Sequence, residues 1–176
     1  MPAVDLSDRI KKVRLVIFDV DGVLTDGRIV YDSKGRDLKF FDVTDGLGMA
    51  LLHKAGIDSI IMTAKASKVV SRRAKDFKIK AVYQDCSDKL QTFHEIQVKF
   101  KVKPEEVCFI GDDLVDMPVL KRAGFAVSVP NAVDEVRGIA HYITKKAGGR
   151  GAVREVCDLI LKTQGKWQEV IARYNR

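Results

Sequence analysis

The sequence predicts an α/β protein built on a doubly wound, Rossmann-like parallel sheet with helices on both faces. Three observations lead there: short apolar runs of strand length recur along the chain, segments of helical period lie between them, and the two kinds alternate almost throughout. Connections of this kind set parallel strands side by side through right-handed crossovers.

The first strong apolar segment, Val13 to Val20, reads as a strand that breaks off into Asp19, Asp21 and Gly22. Ile29 and Tyr31, then Leu38 and Phe40, alternate with polar neighbours around Asp32-Ser33-Lys34-Gly35, the pattern of a β-hairpin. From Asp45 to Ala55 the spacing of Leu47, Ala50, Leu51 and Leu52 predicts a helix that stops at Gly56. A strand from Ser59 to Thr63 follows. Ser67 is placed to cap a helix carrying Val70, Ala74 and Phe77 on one face, and Ala81-Val82-Tyr83 is strand-like. Lys89 to Phe100 reads as a helix with Leu90, Phe93 and Phe100 inward. Pro104-Glu105-Glu106 opens a single turn before a strand, Val107 to Ile110, which runs into Gly111-Asp112-Asp113. A helix through Val119 and Leu120, a strand Ala126 to Val129, a helix capped at Asn131, a strand at Tyr142-Ile143 and a helix with Val153, Val156 and Ile160 complete the series.

The chain has 176 residues, 46% of them hydrophobic, enough for one sizeable core. That excludes a disordered chain, a collagen-like chain and a multidomain machine. The expected division is a core over 1–165, with the hairpin at about 27–41, and a short C-terminal tail over 166–176 carrying Trp167 and Tyr174. Thirty-one Lys and Arg against 24 Asp and Glu give a net charge of +7, which calls for an anionic partner without saying whether it is nucleic acid, lipid or a phosphorylated metabolite. Cys86, Cys108 and Cys157 form no CxxC pair and suit a reducing compartment. The N-terminus begins Met-Pro-Ala-Val-Asp-Leu-Ser-Asp-Arg, without an apolar export signal, and no apolar run approaches the ~20 residues that span a bilayer. A cytoplasmic protein with no membrane partner is expected.

In a doubly wound sheet, ligands bind beyond the carboxyl ends of the strands, where the strand order reverses. Asp19-Val20-Asp21-Gly22 and Gly111-Asp112-Asp113-Leu114-Val115-Asp116 fall at two such ends. Carboxylates converging at one sheet edge demand a cation, and oxygen ligands favour Mg²⁺. Thr63 at a third strand end and Lys89 after a fourth add a hydroxyl and an ammonium, the makings of an anion cradle. These are the parts for phosphoryl transfer, with Asp19 as nucleophile and Asp21 as the acid that protonates the leaving alkoxide and then the base that activates water.

The set DVDGVLTD, a strand-end Thr, a Lys and GDDLVD, in this order, resembles the four motifs of the haloacid dehalogenase superfamily of aspartate-nucleophile phosphatases. The resemblance covers nearly the whole chain. It implies metal ligation by the side chains of Asp19 and Asp112 and the backbone carbonyl of Asp21, with Asp113 and Asp116 behind them and Thr63 and Lys89 on the phosphate. The hairpin stands where many members insert a cap domain, so the chain is similar to the capless branch. Within that branch DVDGVLTDG, Asp45-Gly46, GDDLVDMPVL and GGRGAVREVCDLIL resemble members that act on phosphorylated eight-carbon sugar acids of lipopolysaccharide synthesis. Phosphates of nine-carbon, sialic-type acids are the alternative. The resemblance further implies a homotetramer whose hairpins meet, and substrate binding by Lys65, Arg73 and Arg150. The family usually follows the Thr with Gly-Arg, whereas this chain has Thr63-Ala64-Lys65, which keeps a positive charge but loses the planar bidentate fork.

Blander readings stand beside these. Asp113 and Asp116 suit a helix N-terminus as such, and Arg73 shares an ordinary basic helix face with Arg72. His53, His94 and His141 lack metal-ligand spacing. Phe40-Phe41 suits a buried hairpin or a subunit interface better than base stacking, so no nucleic-acid partner is expected. A catalytically silent phosphate-binding domain on the same fold is the competing class of function.

Overall fold

The computed structural model describes residues 5–175; the first four residues of the polar N-terminus lie outside them. Six parallel strands form the main sheet: β1 (Leu15–Phe18), β4 (Asp58–Met62), β5 (Ala81–Tyr83), β6 (Val107–Gly111), β7 (Phe125–Ser128) and β8 (Tyr142–Ile143). They lie in the order β5-β4-β1-β6-β7-β8. The chain winds outward from β1 through β4 to β5, then returns to place β6 on the other side of β1. The strand order therefore reverses between β1 and β6, with Phe18 opposite Ile110 at their carboxyl ends.

Every residue of β1 is buried, because the strand is covered on both faces. Val16 and Phe18 pack into one cluster with α2 (Val43–Lys54), α3 (Lys68–Asp76) and α7 (Ala152–Thr163). Leu15 and Ile17 pack into the other with α4 (Lys89–Phe100), α5 (Met117–Leu120) and α6 (Asp134–Arg137). The hairpin is a separate two-stranded ribbon, β2 (Val30–Tyr31) and β3 (Asp37–Leu38), closed by Asp32, whose carboxylate accepts from the backbone of Lys34 and Arg36.

Several expectations need correction. A helix at Leu6–Lys11, α1, was not anticipated; Ile10 is its one buried side chain. Helix α2 begins earlier than Asp45 because Asp42 caps it through Thr44 N. Its inward face is Asp45, Gly48, Met49, Leu51 and Leu52, while Leu47 and Ala50 turn outward with Val43. Gly48 suits that rotation: a Cβ there would stand 3.0 to 3.2 Å from Arg154 and Cys157, so the absent side chain lets α2 lie close against α7. On α4, Phe93 is fully buried, while Leu90 and Phe100 are half-buried and pack against the same cluster. Asn131 does not cap α6, which starts at Asp134 with Val133 before it. The tail forms α8 (Trp167–Ile171) and a final 3-10 turn, with Val170 buried and Trp167 and Ile171 packed on the chain's own core.

Candidate active site

Strand β1 ends at the buried carboxylate of Asp19, whose N–H donates to Ile110 O at 3.0 Å and ties it to β6. Beyond it the chain winds tightly: Leu24 and Thr25 both donate to Val20 O, and the Thr25 hydroxyl gathers Gly22 and Gly27 N–H groups. Gly22 has φ +91°, and a Cβ there would lie 1.9 Å from Asp112 Oδ2, so both the conformation and the space require glycine. Strand β6 delivers Asp112 against this turn. Gly111 is equally constrained, since a Cβ would strike the side chain of Asp116 at 2.6 Å.

Lys89, the first residue of α4, is buried with its ammonium between two carboxylates: it donates to Asp19 Oδ1 at 2.8 Å and to Asp116 Oδ1 at 2.5 Å. The other Asp116 oxygen accepts from the N–H of Asp112 and, at 3.3 Å, of Asp113. Asp116 thus holds the β6 turn and the lysine together. Asp113 is exposed and accepts from Leu114 N, which makes it the cap of the 3-10 turn Leu114–Asp116.

Burial of so many charges has a cost, and the groups resist ionising. Burial and then the nearby Asp116 push the Asp19 carboxyl up to about 7, and burial with Asp19 and Asp116 pushes Asp112 up to about 8. Burial alone would lower the Lys89 ammonium, but Asp19 and Asp116 outweigh it and hold it above the usual lysine range.

A divalent cation fits this arrangement. Asp19, Asp112 and Asp116 offer oxygens within 4.8 Å of one another, and Asp112 Oδ1 is buried without a hydrogen-bond partner. Both Asp116 oxygens are already engaged, which leaves Asp19 and Asp112 as the side-chain ligands. Three carboxylates exceed one lysine by two negative charges, and a donor set made only of oxygens suits a hard ion.

Asp19, Asp21, Thr63, Lys65, Lys89 and Asp112 line one cavity of about 250 Å³. Thr63, buried at the end of β4, accepts weakly from Lys65 N at 3.5 Å. The cavity shares Asp21, Ile29 and Lys65 with a larger groove of about 960 Å³ between the hairpin and the start of α3. Two residues absent from the sequence reading anchor this groove. Lys39, its side chain largely buried, pairs with the Asp21 carboxylate, and Asp37 accepts from the Ser67 hydroxyl at 2.6 Å. Only the position of Lys39 at the end of a hairpin strand hinted at this. Arg73 and Arg150 line neither cavity. The Arg73 guanidinium instead lies 3.9 Å from the Phe77 ring centroid and 5.7 Å from that of Phe41. Arg150 is exposed on the loop before α7.

A parallel doubly wound sheet with a carboxylate turn, a second carboxylate loop and a buried lysine at its switch point defines a class of hydrolase, and the comparison with known families agrees. The model of haloacid dehalogenase-like hydrolases matches residues 50–156, and the chain belongs to that family. Within it, the chain is 45% identical over 162 residues to the 3-deoxy-D-manno-octulosonate 8-phosphate phosphatase of Yersinia pestis, covering 92% of this chain and 87% of that protein. The crystal structure of the phosphatase of that name from Moraxella catarrhalis, in complex with magnesium ion, phosphate ion and a KDO molecule, superposes with a TM-score of 0.94. It is 42% identical and the match covers 96% of this chain and 97% of that one. A cobalt-bound form of the Haemophilus influenzae enzyme gives a TM-score of 0.87 at 35% identity, over 90% and 92% of the two chains. No helix among the described residues is long and apolar enough to cross a membrane.

Proposed function

We propose that this chain is a Mg²⁺-dependent phosphatase that releases phosphate from 3-deoxy-D-manno-octulosonate 8-phosphate. The observation that carries the reading is the Asp19–Lys89–Asp116 cluster beside the orphaned Asp112 oxygen, in a chain so similar to a phosphatase solved with magnesium, phosphate and KDO. Asp19 and Asp112, with the Asp21 carbonyl, hold the metal, which when bound neutralises charge on the phosphoryl oxygens.

The Asp19 carboxylate attacks phosphorus, forming the acyl-phosphate bond as the ester P–O bond breaks. Lys89 and the Thr63 hydroxyl hold the phosphoryl oxygens in line. Asp21 gives its proton to the departing sugar alkoxide, then removes one from the water that attacks phosphorus, and the bond to Asp19 breaks to free phosphate and carboxylate. The larger groove receives the sugar acid. Lys65, on the wall shared by both spaces, takes its carboxylate, and Arg73 and Arg150 contribute only if substrate or subunits bring them closer.

The exposed apolar residues support a homotetramer. Ile29, Tyr31, Leu38 and Phe40 of the hairpin and Val43 and Leu47 of α2 are all exposed in the single chain, the kind of apolar surface that a subunit contact would cover. We place the enzyme in the cytoplasm, as a core over 1–165 with its tail over 166–176.

Phosphate release from the octulosonate 8-phosphate, a nine-carbon sialic-type 9-phosphate and 4-nitrophenyl phosphate, each with Mg²⁺ and with chelator, tests the reading. Preference for the eight-carbon ester in Mg²⁺ supports it, and preference for the nine-carbon ester overturns the substrate. Absence of any metal-dependent turnover overturns the activity.

A further inference from the structure

Three loops meet behind the carboxylates, and one side chain joins them. Asn131, in the loop between β7 and α6, donates from Nδ2 to Gly22 O at 2.9 Å and accepts at Oδ1 from Gly148 N at 2.8 Å. Both ends of its amide are used. Gly22 is the residue jammed against Asp112, and Gly148 lies so close behind it that a Cβ would stand 1.7 Å from Gly22 O. Gly149 N donates to Val23 O at 3.0 Å, extending the contact along the same turn. The Asn131 loop also grips the other carboxylate strand directly, through Val133 N donating to Asp112 O at 3.0 Å.

We infer that Asn131 is a positioning residue that sets the separation of the Asp19–Asp21 turn from Asp112 and thereby pre-forms the metal site, which rests on the phosphatase reading above. The Gly22 carbonyl has a fixed donor on one side and the Gly148 backbone packed on another, so the turn cannot slide along β6 without breaking the Asn131 contact. Sub-ångström placement of oxygen ligands matters for Mg²⁺, whose coordination shell tolerates little distortion. Groups that orient ligands without touching the metal typically cost about 10–100-fold in metal affinity or activity when removed. A residue that merely stabilised the fold would instead lower the melting temperature and leave the affinity of the folded fraction alone.

Asn131→Ala separates the two. Because Asn131 is exposed, the variant should fold, with a melting temperature in chelator close to that of the wild type. Mg²⁺ affinity by titration calorimetry should weaken about tenfold. Amide hydrogen exchange should accelerate in residues 20–27 and 148–149 of the metal-free protein, with kcat for 4-nitrophenyl phosphate falling in saturating Mg²⁺. Mg²⁺ affinity and exchange within twofold of wild type would overturn the inference, as would a loss traced wholly to unfolding. If the wild type itself neither binds Mg²⁺ nor hydrolyses the aryl ester, the phosphatase reading fails, and unchanged exchange in residues 20–27 would then remove the role of Asn131 as well.

Discussion

Lys89 Nζ lies 2.8 Å from Asp19 Oδ1, although the two residues are 70 positions apart in sequence. Strand β5 and the cap of α4 by Asp88 bring the lysine to the end of β1. In the metal-free protein it is the cation that holds Asp19 and Asp116 together.

Replacing Lys89 by Met therefore leaves two buried carboxylates facing each other. Removing one partner of a buried pair costs about 3–5 kcal/mol. Thermal melts in chelator should show Lys89→Met well below the wild type, and saturating Mg²⁺ should recover part of the gap, since a divalent ion neutralises the same oxygens. An unchanged melting temperature in chelator would contradict this role.

Lys39 reaches from the hairpin to the carboxylate of Asp21. If it aims Asp21 at the leaving oxygen, its loss matters most when that oxygen needs a proton. Lys39→Met should lower turnover of a sugar phosphate about tenfold or more, a part of the roughly 10²–10⁴-fold that general acid catalysis supplies. Turnover of 4-nitrophenyl phosphate, whose phenolate leaves unprotonated, should change far less. Equal losses on both substrates would show that Lys39 does not act through Asp21.

Asp45 is buried at the start of α2, where Oδ1 accepts from Arg154 N at 2.8 Å and Oδ2 has no partner. Burial pushes its carboxyl up to about 7. Its folded value lies above the unfolded one, so the stability that goes with its proton is complete below about pH 4 and lost as pH rises through 7. Asn keeps the acceptor for Arg154 and cannot ionise. The melting temperature of Asp45→Asn relative to wild type should climb between pH 4.5 and pH 8, by an amount equivalent to at most about 4 kcal/mol. A difference independent of pH would mean that Asp45 ionises freely in the folded protein.

The parts that were legible in the sequence share a physical cause. A strand buried on both faces must be apolar, so Asp19 and Asp112 stand out where β1 and β6 end, and the switch point follows from the alternation of strands and helices. Lys39 and Asn131 were not legible, because each acts through a contact with the Asp21–Gly22 turn that no periodicity marks. The spacing of Leu47, Ala50, Leu51 and Leu52 marked α2 as a helix but not its buried face, which is Asp45, Gly48, Met49, Leu51 and Leu52, with α7 packed closely at Gly48.

Asp19 as the nucleophile is tested most directly by comparing phosphate release by wild type and Asp19→Asn from octulosonate 8-phosphate in saturating Mg²⁺. Loss of roughly 10⁴-fold or more in kcat, the scale on which removing a nucleophile acts, is the predicted result. Turnover by the variant equal to that of the wild type would contradict it.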